Sequence, residues 1–234
     1  MTSRTVRRTL LVCTIVAVSA CSSDTVSGPE GGDLRGNEPE PRSPILFVHG
    51  WSSSGAIWGT MIDRFIAEGY SPGELFNWSY DTSKSNVTTA LALKAKVDEI
   101  RATTGAGRVD IVTHSMGSLS ARYYIRDLGG DVAVDEFVSL GGPNHGTNTA
   151  LLCNQASCIE MRPNSSFLNG LNETDETPGK TVRYATFWSA CDGVINPQKS
   201  TILSGASNTQ TACIDHSGLY QDAEVFASVL SFVK

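Results

Sequence analysis

The chain has 234 residues, 40% of them hydrophobic and 18% charged, with a formal net charge of −6. That length and apolar content suit one globular domain with its own core and exclude a disordered or collagen-like polymer. The acidic balance repels a phosphate backbone, so nucleic acid is not an expected partner.

Residues 1–20 are predicted to be an export signal: Arg7 and Arg8 give a basic start, Leu10 to Val18 an apolar run, and small residues precede Cys21. The run is too short to span a membrane as a helix. Val18, Ser19, Ala20 and Cys21 resemble the lipobox of bacterial lipoproteins, in which the cysteine becomes the lipid-modified first residue of the mature chain. The alternative is an ordinary signal-peptidase site that leaves Cys21 unmodified. Either way the expectation is a chain outside the cytoplasm, freely secreted or anchored to a membrane through Cys21. Residues 21–42 are rich in Ser, Gly, Pro and Glu with little to bury, which predicts a flexible linker, and the folded domain is expected over 43–234.

Within that domain, short β-rich runs alternate with helical stretches, the pattern of a mostly parallel sheet covered on both faces. Strands are predicted at Ile45–His49, Leu75–Tyr80, Val109–Thr113, Glu136–Leu140, Val182–Trp188 and, on the weakest signal, Thr211–Ile214. Helices are predicted at Ala56–Glu68, Val87–Arg101, Met116–Leu128 and Asp222–Val233, the second with Val87, Leu91, Lys94, Val97, Glu99 and Ile100 read as an apolar stripe at helical spacing with charge elsewhere. Gly146–Lys180 lacks periodicity and is expected to form a long loop or short helices over the sheet.

The segment from Val109 reads V-D-I-V-T-H-S-M-G-S-L-S: a buried strand, a tight turn, a helix start. This is the pattern of a nucleophile elbow, which holds a serine above the sheet with its hydroxyl exposed and the next backbone N–H aimed at a developing oxyanion. Ser115 occupies that position and Gly117 one of the small flanking sites, whereas Thr113 stands where a glycine is usual. The alternative role for Ser115 is a plain helix cap. Upstream, P-I-L-F-V-H-G-W from Pro44 to Trp51 is an apolar strand ending in His-Gly. The backbone N–H groups of Trp51 and Met116 are the expected oxyanion donors.

A serine hydroxyl needs a base, and the chain has four histidines. His49 ends the first strand, His114 is expected to point away from the catalytic face, and His145 precedes every candidate acid. His216, after the last weak strand and before the closing helix, is the expected base. The acid that orients it should follow the preceding strand, which selects Asp192 over Glu173, Asp175 and Asp215; Asp215 is too near in sequence to reach Nδ1 of His216. Beyond Cys13 and Cys21, four cysteines remain, an even number that predicts two disulfides in an oxidising compartment. Three pairings exist. If Asp192 meets His216, then Cys191 and Cys213 are brought together, leaving Cys153 with Cys158 as a short local loop. No cofactor and no metal site are expected from these spacings.

Taken in order, P-I-L-F-V-H-G, V-D-I-V-T-H-S-M-G, R-Y-Y-I at Arg122–Ile125, L-G-G-P-N-H-G-T, the Asp192 loop and D-H-S-G-L resemble the small secreted bacterial lipases of the class 2 lipase family across residues 43–234. That resemblance implies a minimal α/β-hydrolase fold: a six-stranded, mostly parallel sheet with helices on both faces and little or no lid. It also implies a triad of Ser115, Asp192 and His216, no metal, and hydrolysis of acylglycerols or simpler esters; the chain itself is expected to be a monomer. Trp51, Trp58, Trp78, Trp188 and Phe167 are candidates for an acyl groove, although scattered aromatics more often belong to a core. Two other functions fit the same residues: a carboxylesterase for short soluble esters, and a non-catalytic surface protein that uses the fold to bind a lipid.

Overall fold

The computed structural model describes residues 42–234; the expected export signal, Cys21 and all but the last residue of the linker lie outside the described residues. Six strands, β1 (Ile45–Val48), β2 (Leu75–Trp78), β3 (Val109–His114), β4 (Val134–Leu140), β5 (Arg183–Trp188) and β6 (Ser207–Gln210), form one sheet in the order β2-β1-β3-β4-β5-β6. Every neighbouring pair is parallel. Parallel strands need crossovers, and the longer helices supply them or close the chain: α1 (Gly59–Ala67), α2 (Asn86–Thr104), α3 (Gly117–Asp127) and α6 (Ala223–Phe232). Two short helices, α4 (Ala156–Glu160) and α5 (Ser166–Leu171), lie in the segment after β4, where the sequence shows no periodicity.

Side chains alternate across each strand, so one sheet feeds two cores. Ile45 and Phe47 of β1 join Met61 and Phe65 of α1 and Val225, Phe226, Val229 and Leu230 of α6 on one face. Leu46 and Val48 join Leu93, Val97 and Ile100 of α2 and Ala121, Tyr124 and Ile125 of α3 on the other. A third cluster of Met116, Leu119, Met161, Leu168 and Leu171 anchors α4 and α5. The result is the minimal α/β-hydrolase fold, with all six strands parallel.

Three readings of the sequence are corrected here. The last strand runs over Ser207–Gln210, not Thr211–Ile214; its four residues are all exposed on the sheet edge, so no buried face marks it in the sequence. In α2 the buried stripe is Asn86, Thr89, Ala90, Leu93, Val97 and Ile100, while Leu91 is 54% exposed. Polar Asn86 takes a core position because its own polar groups are satisfied: Oδ1 accepts from Ser120 Oγ at 2.8 Å and Nδ2 donates to Glu160 Oε2 at 2.9 Å. The fourth strand also begins earlier than predicted, at Val134.

The strand order reverses at β1: the chain leaves it to one side for β2 and returns on the other for β3. In open parallel sheets a crevice opens at such a point, beyond the carboxyl ends of the strands. The loops after β1 and β3 there carry Trp51 and Ser115.

Candidate active site

The turn from β3 into α3 is tight enough to force Ser115 into the left-handed region, at φ 54°. A non-glycine residue at positive φ costs of order 1–3 kcal/mol, and the surroundings hold it there: Ser115 N–H donates to Leu140 O at 2.9 Å. The end of β1 presses against this turn, since a Cβ built on Gly50 would lie 2.7 Å from Ser115 Cβ. Thr113, the departure from the usual small residue, has a use of its own. Its buried hydroxyl donates to Val138 O at 2.7 Å and lies 2.7 Å from Ser118 Oγ, to which Ser139 Oγ donates at 2.9 Å, tying β3, β4 and the start of α3 together.

Asp192 follows β5 and His216 follows β6, and the structure joins them: His216 Nδ1 donates to Asp192 Oδ2 at 2.8 Å. The other oxygen, Oδ1, accepts from Val194 N–H at 2.8 Å and Ile195 N–H at 2.9 Å. Burial of this carboxyl, 2% exposed, pushes its pKa up, but the His216 hydrogen bond, the His216 charge and these two amides outweigh that and hold it below its ordinary value. It is therefore ionised at neutral pH, which fixes a proton on Nδ1 of His216 and leaves Nε2 free to act as a base. The rival acids are engaged elsewhere: Asp215 Oδ1 accepts from Gly218 N–H and Asp175 Oδ1 from Thr177 N–H. Gly141, at φ 58°, lies under the pair; a Cβ there would sit 3.1 Å from His216 Nδ1 and 3.2 Å from Asp192 Oδ2.

Two disulfides frame the region. Cys191 is bonded to Cys213, with Cα atoms 5.1 Å apart, and so couples the acid loop to the base loop; Cys153 is bonded to Cys158. Ser115, His216, Trp51 and Gly50 all line one cavity of about 450 Å³, with Ala150, Met161, Val194, Ile195 and Tyr220 among its apolar walls. Among the described residues no hydrogen bond joins Ser115 Oγ to His216; such bonds are often long without substrate. Met116, next to the serine, is buried by its side chain in the third cluster and opens α3 with its backbone.

His114 does not point away from this face, as the sequence led us to expect. Its ring packs 4.4 Å from that of His216 and 4.8 Å from Tyr220, and its Nε2 donates to His216 O at 2.9 Å. Burial and the neighbouring His216 push its pKa down to about 3, so it is a neutral spacer that holds the base loop. The reason is strand alternation: His114 is the last residue of β3 and shares the face of Val112, in the cluster against which Tyr220 packs, so it meets the loop that carries His216. His49 is fully buried, stacks on Tyr80 at 4.3 Å, and its Nδ1 lies 2.8 Å from Gly50 O, while Tyr80 donates its hydroxyl proton to His49 O at 2.5 Å. His145 pairs with Glu176 at 2.7 Å and is not part of the cavity wall. Of the five aromatics considered for an acyl groove only Trp51 lines the cavity; Trp58 is in the core, Trp78 and Phe167 pack against it, and Trp188 is buried at the end of β5. Sequence reasoning missed Gly141, although it lies within L-G-G-P-N-H-G-T, and Tyr220, which lies one residue past D-H-S-G-L.

A family model described as lipase (class 2) matches residues 42–227. Among solved structures, the mature form of the Bacillus licheniformis lipase BlEst2 matches with a TM-score of 0.74 at 18% identity, covering 84% of this chain and 94% of that one. Aspergillus fumigatus lipase B matches with a TM-score of 0.69 at 15% identity over 81% of this chain, which spans only 52% of that protein. Legionella pneumophila phospholipase PlaB gives 0.66 at 14%, with coverages of 83% and 60%. At such identities these structural likenesses are of fold.

Proposed function

The chain belongs to the class 2 lipase family and is an ester hydrolase, and from that premise we propose that it cleaves carboxylic esters of lipids through an acyl-enzyme on Ser115. The observation that carries this reading is the 2.8 Å contact between His216 and the ionised Asp192, made by residues from two separate loops at the wall of the cavity that holds Ser115.

The chemistry follows from the groups. His216 Nε2 takes the proton as Ser115 Oγ attacks the ester carbonyl carbon, and Asp192 stabilises the resulting imidazolium. The carbonyl oxygen becomes an oxyanion, for which the backbone N–H groups of Trp51 and Met116 are the proposed donors; none of the backbone hydrogen bonds among the described residues uses either N–H. Collapse of this intermediate breaks the bond to the alcohol, which leaves with the proton from His216. Water, deprotonated by the same Nε2, then attacks the acyl carbon and releases the carboxylic acid with Ser115 restored. Every step uses side chains or amides of the chain itself.

Ser115→Ala removes the nucleophile and no packing, so ester turnover should fall to background while the thermal melt stays put. Turnover within tenfold of the parent would remove Ser115 from the mechanism. The second reading, an esterase for short soluble esters, differs only in what reaches the cavity, and a series of glycerol and nitrophenyl esters of rising acyl length separates the two. We also propose that the chain is secreted or lipid-anchored through Cys21; its two disulfides fit an oxidising compartment, and no helix among the described residues is long and apolar enough to cross a membrane.

A further inference from the structure

Asp192 Oδ1 takes both of its amide donors from its own loop, from Val194 and Ile195, two and three residues ahead. Such local bonds fix the carboxylate relative to the loop but not the loop relative to His216, so acid and donors could drift together unless something outside the loop holds them. The Cys191–Cys213 disulfide holds the start of the loop. Its far side is held by Thr147, the last residue of L-G-G-P-N-H-G-T.

The chain after β4 reaches the acid loop by a turn that only glycine permits. Gly146 lies at φ 93°, and a Cβ on it would fall 2.6 Å from Pro163 N. The turn carries Thr147 into a buried position, where its N–H donates to Met161 O at 2.9 Å and so anchors it from behind. In front, Thr147 Oγ1 donates to Val194 O at 2.7 Å and accepts from Asn196 N–H at 3.0 Å, while Asn148 N–H donates to Asn196 O at 2.8 Å. One hydroxyl thus spans the acid loop from Val194 to Asn196.

The peptide that Thr147 grips is one that serves Asp192. Val194 O and Ile195 N–H belong to a single peptide unit: the Thr147 and Thr149 hydroxyls both donate to its oxygen at 2.7 Å, and its N–H donates to Asp192 Oδ1 at 2.9 Å. Hydrogen bonds accepted at a peptide oxygen polarise the whole unit and strengthen donation at its nitrogen. The other carboxylate oxygen then takes His216 Nδ1–H at 2.8 Å, so a continuous line of hydrogen bonds runs from the hydroxyl to the imidazole. Among the described residues no hydrogen bond joins the Thr147 side chain to Ser115, Asp192 or His216 directly. We infer that Thr147 is a positioning residue for the reaction: its hydroxyl fixes and polarises the Val194–Ile195 peptide, which in turn holds the Asp192 carboxylate against His216. The inference deepens the ester-hydrolase reading and rests on its pairing of Asp192 with His216.

The test compares the full chain with Thr147→Val, which keeps the shape and removes the hydroxyl, and Thr147→Ser, which keeps the hydroxyl and removes the methyl group. Two quantities are read: the far-downfield proton resonance of His216 Nδ1–H, identified by its loss in His216→Ala, and the kinetics on dissolved nitrophenyl acetate. Thr147→Val should displace that resonance, speed its exchange with water and lower kcat by about tenfold, the scale of one hydrogen bond, with kcat/KM falling in step. Thr147→Ser should return both readouts to the parent values. An unmoved resonance in Thr147→Val, or a Thr147→Ser that behaves like it, overturns the inference. Should Thr147→Val fail to fold, Thr149→Val reads the same peptide from an exposed position: a smaller displacement in the same direction supports the inference, and an unmoved resonance overturns it. A parent chain that lacks the downfield proton would refute the Asp192–His216 pairing itself, whereas a proton present in the parent and unchanged in Thr147→Val refutes the role of Thr147 alone.

Discussion

At the scale of single residues, the site works by keeping one group charged and its neighbour neutral. Asp192 stays ionised because three donors outweigh its burial, and Asp192→Asn should lower turnover by about 10⁴ while leaving the fold intact, since an amide presents the wrong partner to Nδ1. A loss below tenfold in kcat would assign the orienting role to another acid. His114 does the opposite work. The unfolded chain takes up a proton on this residue near pH 6.5, but the folded chain resists it down to about pH 3, so the folded state binds fewer protons in that window. Stability therefore declines as pH falls from about 6.5 toward 3, and His114→Asn should flatten that decline. Urea unfolding at a series of pH values measures it; an unchanged slope would mean that this imidazole is not the buried neutral group described above. An altered pKa alone does not mark a catalytic group. Asp110 is raised well above its ordinary value by burial and by Glu136, yet it lies within β3, does not line the cavity that holds Ser115, and is structural.

At the scale of elements, β3, the elbow and α3 were legible because a fully buried strand, a turn and a helix start leave different signatures in adjacent residues. β6 was not, because a short edge strand of Ser, Asn, Thr and Gln has no apolar face, and its register on β5, from Ala185 opposite Ser207 to Trp188 opposite Gln210, is set by pairing alone. The meeting of Asp192 with His216 was legible from their order along the chain, whereas the surroundings of His114 depended on which face of β3 the His216 loop covers, which local residue patterns do not encode. The coupling of the acid and base loops rests on the Cys191–Cys213 bond, which closes a loop with a sequence separation of 22. Replacing both cysteines with serine should cost about 3 kcal/mol of stability by denaturant titration. It should also reduce turnover at temperatures where the domain is still folded, because the Asp192 and His216 loops are then free to separate. A variant as stable and as active as the parent would show that β5–β6 pairing suffices.

At the scale of the whole molecule, a single reversal of strand order brings loops from distant parts of the sequence to one end of the sheet: those after β1, β3, β5 and β6, which carry Trp51, Ser115, Asp192 and His216. Both faces of the sheet are spent on core, so chemistry has only this end to occupy. The most direct test of that convergence is covalent trapping. The full chain is treated with an alkyl phosphonate ester, which captures a serine only where a base and oxyanion donors are already in place, and the adduct is located by peptide mass spectrometry. One phosphonyl group per chain on Ser115, absent in Ser115→Ala and strongly slowed in His216→Ala, is the expected result; stoichiometric labelling of another residue, or equal labelling without the imidazole of His216, would contradict it.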